Sequence, residues 1–371
     1  MPEPKARDPN LASLSPEGGH SRRIRRALHH VVPSHFHNPA GLALRVLRSG
    51  NRDALAALFQ AGLRLGLAPF DMAIARLVAS DADAAEAPSR PVLFVTGPPR
   101  SGTTLLHQLL IRALPVAYIT NLASLLPRSA ASGAFPLTGG IANQRVRLES
   151  YYGRTRSLSG PSDGLEFWDR WMGTDRRAIP SSIPESATED MRRFFARLER
   201  QSGRPVLAKN NNLLGSAHLV AAILPTARFV CLRRDPLYLA QSLLKARRDI
   251  QGSTKIGYGL DHSASGGAYP DDPIEDVRSQ IRFYDGLQEQ QMQRLGTDRF
   301  AVVSYEELCA DPASIVRKIA RNVFGFHDIP VELTPLQPRQ RQTLDRGTFE
   351  RLAEQHTINS PESADEQPKS P

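Results

Sequence analysis

The sequence predicts an α/β protein: a three-layer sandwich with a central parallel sheet, preceded by an N-terminal helical segment. Three observations predict it. Short β-branched runs alternate with longer helix-periodic ones from residue 91 to about residue 323, the pattern of a parallel sheet covered on both faces. One strand-like run, Val92 to Val95, stops at a glycine- and proline-bearing loop that opens a helix. The composition, 40% hydrophobic and 23% charged over 371 residues, suits one large globular domain with additions.

Residues 1–38 are rich in Pro, Ser, Arg and His and read as a basic, partly disordered tail. The tail carries Arg22, Arg23, Arg25 and Arg26, then His29, His30, His35 and His37. Contact with anionic lipid or an acidic partner is the functional reading of that cluster, and a solvated tail the plain one. Residues 39–90 form a helical segment and linker, with Leu55, Leu58, Phe59 and Leu63 on one helical face. That face suits packing on the main domain, a homodimer or a membrane surface. The expected strands are 92–95, 116–120, 205–209, 228–232 and 300–304, and the expected helices follow 104, 188–201, 213–224, 236–250, 274–295 and 312–323. Residues 121–163 read as irregular, 251–273 as a glycine-rich lid over the site, and 326–371 as a partly disordered extension.

The loop Gly97-Pro98-Pro99-Arg100-Ser101-Gly102-Thr103-Thr104 keeps the spacing of a Walker A loop except at one place. Thr103 stands where the lysine belongs. A strand, a tight glycine-bearing loop and a helix N-terminus make an anion cradle, because unpaired backbone N–H groups and the helix dipole converge on it. Without the lysine that reaches β- and γ-phosphates, ATP or GTP hydrolysis is disfavoured, and Arg100 supplies the charge instead. The fold is therefore expected to be P-loop-like, with a ligand that has a short phosphate-like chain.

A second pattern lies in RFVCLRRDPLYLAQSLL. A strand ends at Leu232, Asp235 and Pro236 start a helix, and Ser242 follows Arg234 by eight residues. A guanidinium and a hydroxyl together can grip a phosphate. PRSGTT and Arg-Asp-Pro-x5-Ser, in this order and each after a strand, resemble the 5′-phosphosulfate loop and the 3′-phosphate site of sulfotransferases that use 3′-phosphoadenosine 5′-phosphosulfate (PAPS). SYEELCADPASIVRKI, residues 304–319, is similar to the stretch after the last strand of that family. The resemblance covers residues 91–325, and is nearer to the bacterial, carbohydrate and tyrosylprotein type than to the cytosolic type. It implies a PAPS-binding domain over 91–325, with Arg100, Ser101, Gly102, Thr103 and Thr104 at the phosphosulfate and Arg234 and Ser242 at the 3′-phosphate. It also implies that Lys209, at the end of the third strand, contacts the bridging or sulfonate oxygens.

Sulfuryl transfer needs an in-line acceptor, a neutralised leaving oxygen and a base. The base is where the sequence departs from the family. Cytosolic members have Lys-x-His where this chain has Lys209-Asn210-Asn211, and the tyrosylprotein type has a Glu where this chain has Asn121. Glu166 and Asp163 of GPSDGLEFWDRW are the leading candidates, with Asp169 and the loop-helix His107 behind them. The neighbouring Phe167, Trp168 and Trp171 either line an acceptor pocket or anchor the segment to the core.

The net charge of +9, from 47 basic and 38 acidic residues, suits an anionic co-substrate. No zinc-finger spacing or aromatic RNA-binding motif points to nucleic acid. Cys231 and Cys309 read as core filler rather than a disulfide. With no signal sequence and no spanning run, a cytoplasmic protein is expected, or one peripheral to a membrane. The reading is a sulfotransferase moving a sulfuryl group from PAPS to a hydroxyl or amine of a small-molecule, carbohydrate or lipid acceptor, with no metal required. A P-loop-like nucleotide phosphotransferase and a non-catalytic nucleotide-binding protein are the alternatives; the lost base positions favour the second of these.

Overall fold

The computed structural model describes residues 37–78, 87–133, 148, 152, 155, 157–265 and 270–358. The basic cluster of the tail, the 79–86 part of the linker, most of 134–156 and the last residues lie outside the described residues. Five parallel strands form one sheet: β1 (Val92–Thr96), β2 (Ala117–Tyr118), β3 (Val206–Lys209), β4 (Ala227–Arg233) and β5 (Phe300–Ser304), in the order β2-β3-β1-β4-β5. The α/β expectation holds in full. Every residue of β1 is buried, as a central parallel strand with helices on both faces must be. The chain leaves β1 for the β2–β3 side, then crosses back to β4 and β5. The connections therefore part at the carboxyl end of β1, where α/β sheets take their ligands.

Helices cover both faces. Counted in chain order they are α1 (Pro39–Arg48), α2 (Arg52–Val78), α3 (Thr103–Ala113), α4 (Asn121–Leu125), α5 (Pro127–Ser132), α6 (Leu165–Met172) and α7 (Glu185–Ser202). They continue with α8 (Leu213–Ile223), α9 (Pro236–Ala246), α10 (Pro273–Leu295), α11 (Tyr305–Ala310), α12 (Pro312–Phe324) and α13 (Arg346–Ile358). On one face α3, α11 and α12 pack against Leu93, Val95 and Leu232. On the other face Phe94 meets Phe195, Phe229 and Trp168 at ring-centroid distances of 5.3, 5.3 and 5.8 Å. Phe167, Trp168 and Trp171 are buried in that second cluster. They anchor α6 and do not face an open pocket.

The expected second strand, 116–120, is reduced to the two residues of β2, and Thr120 instead bridges to Pro161. The irregular reading of 121–163 fails at its start. The Thr120 side chain accepts from Ala123 N and caps α4, and Pro127 opens α5. The helix expected over 236–250 is α up to Ala246 and widens into a π turn over Arg247–Gln251. Residues 326–345 have no regular structure, yet Val331, Leu333 and Leu336 pack on the core, so this stretch is not frayed. Its composition is that of a loop, but its backbone carbonyls serve as acceptors for buried side chains.

The π turn places Arg247 in the interior at 0% exposure. Its guanidinium pairs with Asp276 and donates to Gln280 Oε1 at 2.8 Å and to Thr254 O at 3.2 Å. His262 Nε2 reaches the other Asp276 oxygen at 2.8 Å, and Gln280 Nε2 donates to Tyr258 O at 3.0 Å. Residues 251–262, part of the 251–273 stretch expected as a lid, are held by a buried polar network; residues 266–269 lie outside the described residues. Removing one partner leaves a buried charge alone. Arg247→Met is expected to cost about 3–5 kcal/mol, read from the urea midpoint. A loss below about 1 kcal/mol would mean that water already serves Asp276.

Candidate functional site

The loop after β1 is built by backbone geometry. Gly97 has φ +139° and Gly102 φ +102°, and a Cβ on either would sit 2.5 Å from Leu232 O or from the Tyr305 ring. Only glycine fits at both places. Arg100 also takes a positive φ, 75°, a strained state for a side-chain-bearing residue. Its carbonyl is held there by Arg234 Nη1, which donates at 3.0 Å. No side chain caps α3; Leu105 N donates to Gly102 O, and the N–H groups of Thr103 and Thr104 lie at the loop. Ser101 Oγ is buried with no hydrogen-bond partner, a polar atom suited to a bound anion.

Ser242 and Arg234 both meet this loop. Arg100 Nε donates to Ser242 Oγ at 3.1 Å. Arg234 donates through Nη2 to the carbonyl of Arg339, in the C-terminal stretch, at 2.5 Å and lies 4.8 Å over the Tyr305 ring. Its Nε is buried and unpartnered. Burial pulls the Arg234 pKa below the usual arginine value, against the opposing pull of Tyr305, Glu306 and Asp235. A second strut starts from Arg100, whose guanidinium lies 4.6 Å over the Tyr152 ring. The Tyr152 hydroxyl donates to Asp249 Oδ2 at 2.9 Å.

Beside the loop is a cleft of about 150 Å³, whose walls include Arg100, Asp163, Arg176, Arg177, Lys209 and Tyr258. Lys209 pairs with Val95 in register at the end of β3. It is 2% exposed, and its Nζ lies 2.6 Å from Asp163 Oδ2. Asp163 is thus the carboxylate brought to the Lys209 ammonium. Glu166, one helical turn on, points elsewhere and pairs with Arg64 of α2. Asp169 is held by two bonds of 2.7 Å from Arg176.

The two departures from the expected base positions have structural work to do. Asn211 Oδ1 accepts from Thr103 Oγ1 at 3.0 Å, and Asn211 O from Thr96 Oγ1 at 3.2 Å, so Asn211 braces the loop. Asn121 Nδ2 donates to Thr155 O, Thr155 Oγ1 and Ser157 O at 3.0, 2.7 and 2.7 Å, bracing the segment that leads to Asp163. His107 does not line the cleft; it is 1% exposed behind the loop. Sequence reasoning missed Tyr152, Arg176, Arg177 and Tyr305. The Arg176-Arg177 doublet was the one visible signal, since a basic pair in a short loop near the acidic segment invites pairing with it.

The model of the sulfotransferase family matches residues 91–323, more than half of the chain. No curated protein matches. Among solved structures, a sulfotransferase (STF9) from Mycobacterium avium is 17% identical with a TM-score of 0.48, covering 95% of this chain and 90% of that one. Another (STF1), from Mycobacterium tuberculosis, is 16% identical with a TM-score of 0.44, covering 83% and 84%. A sulfotransferase from Alicyclobacillus acidocaldarius is 18% identical with a TM-score of 0.38, covering 73% and 91%.

Burial, assisted by the Lys209 charge, drives the His107 pKa down to about 3 from 6.5. The unfolded chain then binds a proton that the folded chain refuses between those values, so stability is full above the unfolded pKa and falls as pH drops. At about pH 5 the penalty is about 2 kcal/mol relative to about pH 8. His107→Met is expected to flatten that part of the pH–stability curve measured by urea unfolding. An unchanged slope would show that other groups carry it.

Proposed function

The chain belongs to the sulfotransferase family, and from that premise we propose that it moves a sulfuryl group from PAPS to a hydroxyl or amine acceptor, releasing the 3′,5′-bisphosphate PAP. The observation that carries the reading is the meeting of Arg100, Ser101, Arg234 and Ser242 around one loop, with Ser101 Oγ and Arg234 Nε buried and lacking partners. Those two atoms fit the two anionic ends of PAPS.

The proposed roles follow from placement. The N–H groups of Gly102, Thr103 and Thr104, with Ser101 Oγ and Arg100, hold the 5′-phosphosulfate and stabilise charge on the bridging oxygen. Arg234 and Ser242 hold the 3′-phosphate. Lys209 orients the sulfonate oxygens. Asp163, 2.6 Å from Lys209, accepts the acceptor's proton as its oxygen or nitrogen attacks sulfur; the S–O bond to the 5′-phosphate breaks, and the electron pair leaves with PAP. Glu166, first in the sequence reading, gives way to Asp163 in this proposal, because its carboxylate is engaged by Arg64 and lines a different groove.

Residues 91–325 would form the catalytic unit, with 39–90 and 326–371 as additions. No helix among the described residues is long and apolar enough to cross a membrane. The exposed Leu47, Phe59, Phe70 and Leu77 of the N-terminal helices support contact with a membrane surface or a second copy. A cytoplasmic enzyme peripheral to a membrane is the setting that fits those faces.

Two measurements test the reading. Arg234→Ala should weaken PAP by about 1.5–3 kcal/mol, the loss of a charged hydrogen bond, and leave adenosine 5′-phosphosulfate nearly untouched in calorimetry. Equal losses for both ligands remove Arg234 from the 3′-phosphate. Asp163→Asn should lower kcat by about 10²–10⁴-fold with PAP affinity kept, whereas Glu166→Gln should stay within about tenfold of the parent. The opposite ranking would return Glu166 to the base position.

A further inference from the structure

A second cavity, of about 430 Å³, lies between the N-terminal helices and the segment that carries Asp163. Its walls are mainly apolar: Leu42 and Ala43 of α1, Leu58 and Ala61 of α2, and Leu125 and Leu158 opposite. Its volume and lining match those of small-molecule sites. Leu158, one of its walls, is 50% exposed, so the groove holds apolar surface that nothing among the described residues covers.

The groove meets the cleft that holds Lys209. Arg176 lines both. The short segment 162–166 is their shared wall, with Ser162 and Glu166 facing the groove and Asp163 and Leu165 facing the cleft. Two bonds fix Arg176 on Asp169, and its Nη1 is buried with no hydrogen-bond partner. The junction is therefore a fixed donor between a small polar cleft and a larger apolar groove. The cleft's 150 Å³ takes a compact head, and the groove's 430 Å³ takes something longer and apolar.

We propose that the acceptor is an amphiphile: an alcohol or amine whose head enters the Lys209–Asp163 cleft past Arg176 while its hydrocarbon chain occupies the groove under α1 and α2. This rests on the sulfuryl-transfer reading and names the substrate class for it. The Arg64–Glu166 ion pair, beside the same groove, holds α2 against α6 and keeps the groove's width. A carbohydrate acceptor would need free hydrogen-bonding groups on the walls, and the polar side chains there are mostly engaged within the protein: Gln60 and Asn121 with Thr155, Ser124 with Ser162, Arg64 with Glu166 and Arg176 with Asp169.

The test uses linear primary alcohols from butanol to decanol as acceptors with labelled PAPS, and dansyl-undecanol as a fluorescent probe that reports binding without turnover. The kcat/KM should rise about fourfold per methylene, the transfer preference of a buried CH₂. Ala61→Trp and, separately, Ala43→Trp fill the groove; each should flatten that slope and weaken the probe at least tenfold, with PAP affinity showing that the fold is intact. Turnover of short polar acceptors with no chain-length slope overturns the proposal and leaves the sulfotransferase reading standing. So does equal probe binding by parent and both variants, or a parent dimer that Ala61→Trp converts to monomer without any probe binding. Tight probe binding lost in both variants, with neither alcohols nor the matching primary alkylamines turned over, keeps the groove and sinks the sulfuryl-transfer reading.

Discussion

Arg234 is the residue on which the site's geometry depends. From the end of β4 its guanidinium holds the carbonyl of Arg100 in the loop and the carbonyl of Arg339 in the C-terminal stretch, and it stacks on Tyr305 at the start of α11. Tyr305 in turn packs against Gly102, where a Cβ would meet the ring at 2.5 Å. One buried cation therefore joins three separate pieces of chain to the loop. Burying a charge is costly without partners, and two carbonyls and a ring face offset only part of that cost. Glu306 and Asp235 offset a further part, and on the proposed reading a phosphate beside Arg234 would complete the balance.

The same constraint accounts for the strain in the loop. Arg100 takes a left-handed backbone that costs about 1–3 kcal/mol, and this is sustained from two sides. Arg234 grips its carbonyl, while its own side chain is fixed between Ser242 and the Tyr152 ring. The side chain is then oriented before any ligand arrives. The proposed role of Arg100, stabilising a developing anion without reorganisation, requires preorganised charge of this kind.

Much of this was legible in the sequence, and for physical reasons. The strands β1, β3, β4 and β5 are nearly continuous apolar runs, and Asp235-Pro236 marks a helix start through capping and a fixed φ. The loop was legible because glycine at a positive φ leaves a spacing in the sequence. What was not legible depends on distant pairing. β2 has the composition of a five-residue strand, but Thr120 leaves the ladder to cap α4. Nothing local marks Arg64 as the partner of Glu166, 102 residues away, or Tyr152 as the platform for Arg100. Asp163 and Glu166 are equivalent by composition; only the direction each takes from the start of α6 separates them.

The terminal additions divide the site between them. The C-terminal stretch meets the β4 side, where Arg339 and Arg341 offer carbonyls to Arg234 and Gln241. The N-terminal helices meet the other side. Arg45 of α1 donates to the carbonyls of Asp249 and Ile250 at 3.1 and 2.7 Å, and Asp249 holds Tyr152, on which Arg100 rests. A displacement of α1 thus has a short route to the loop cation: Arg45, the π turn, Tyr152, Arg100. The same helix forms one wall of the apolar groove. The element that lines the groove is thus also tied, through Asp249 and Tyr152, to Arg100. The sheet supplies the loop, and the additions decide what lies against it.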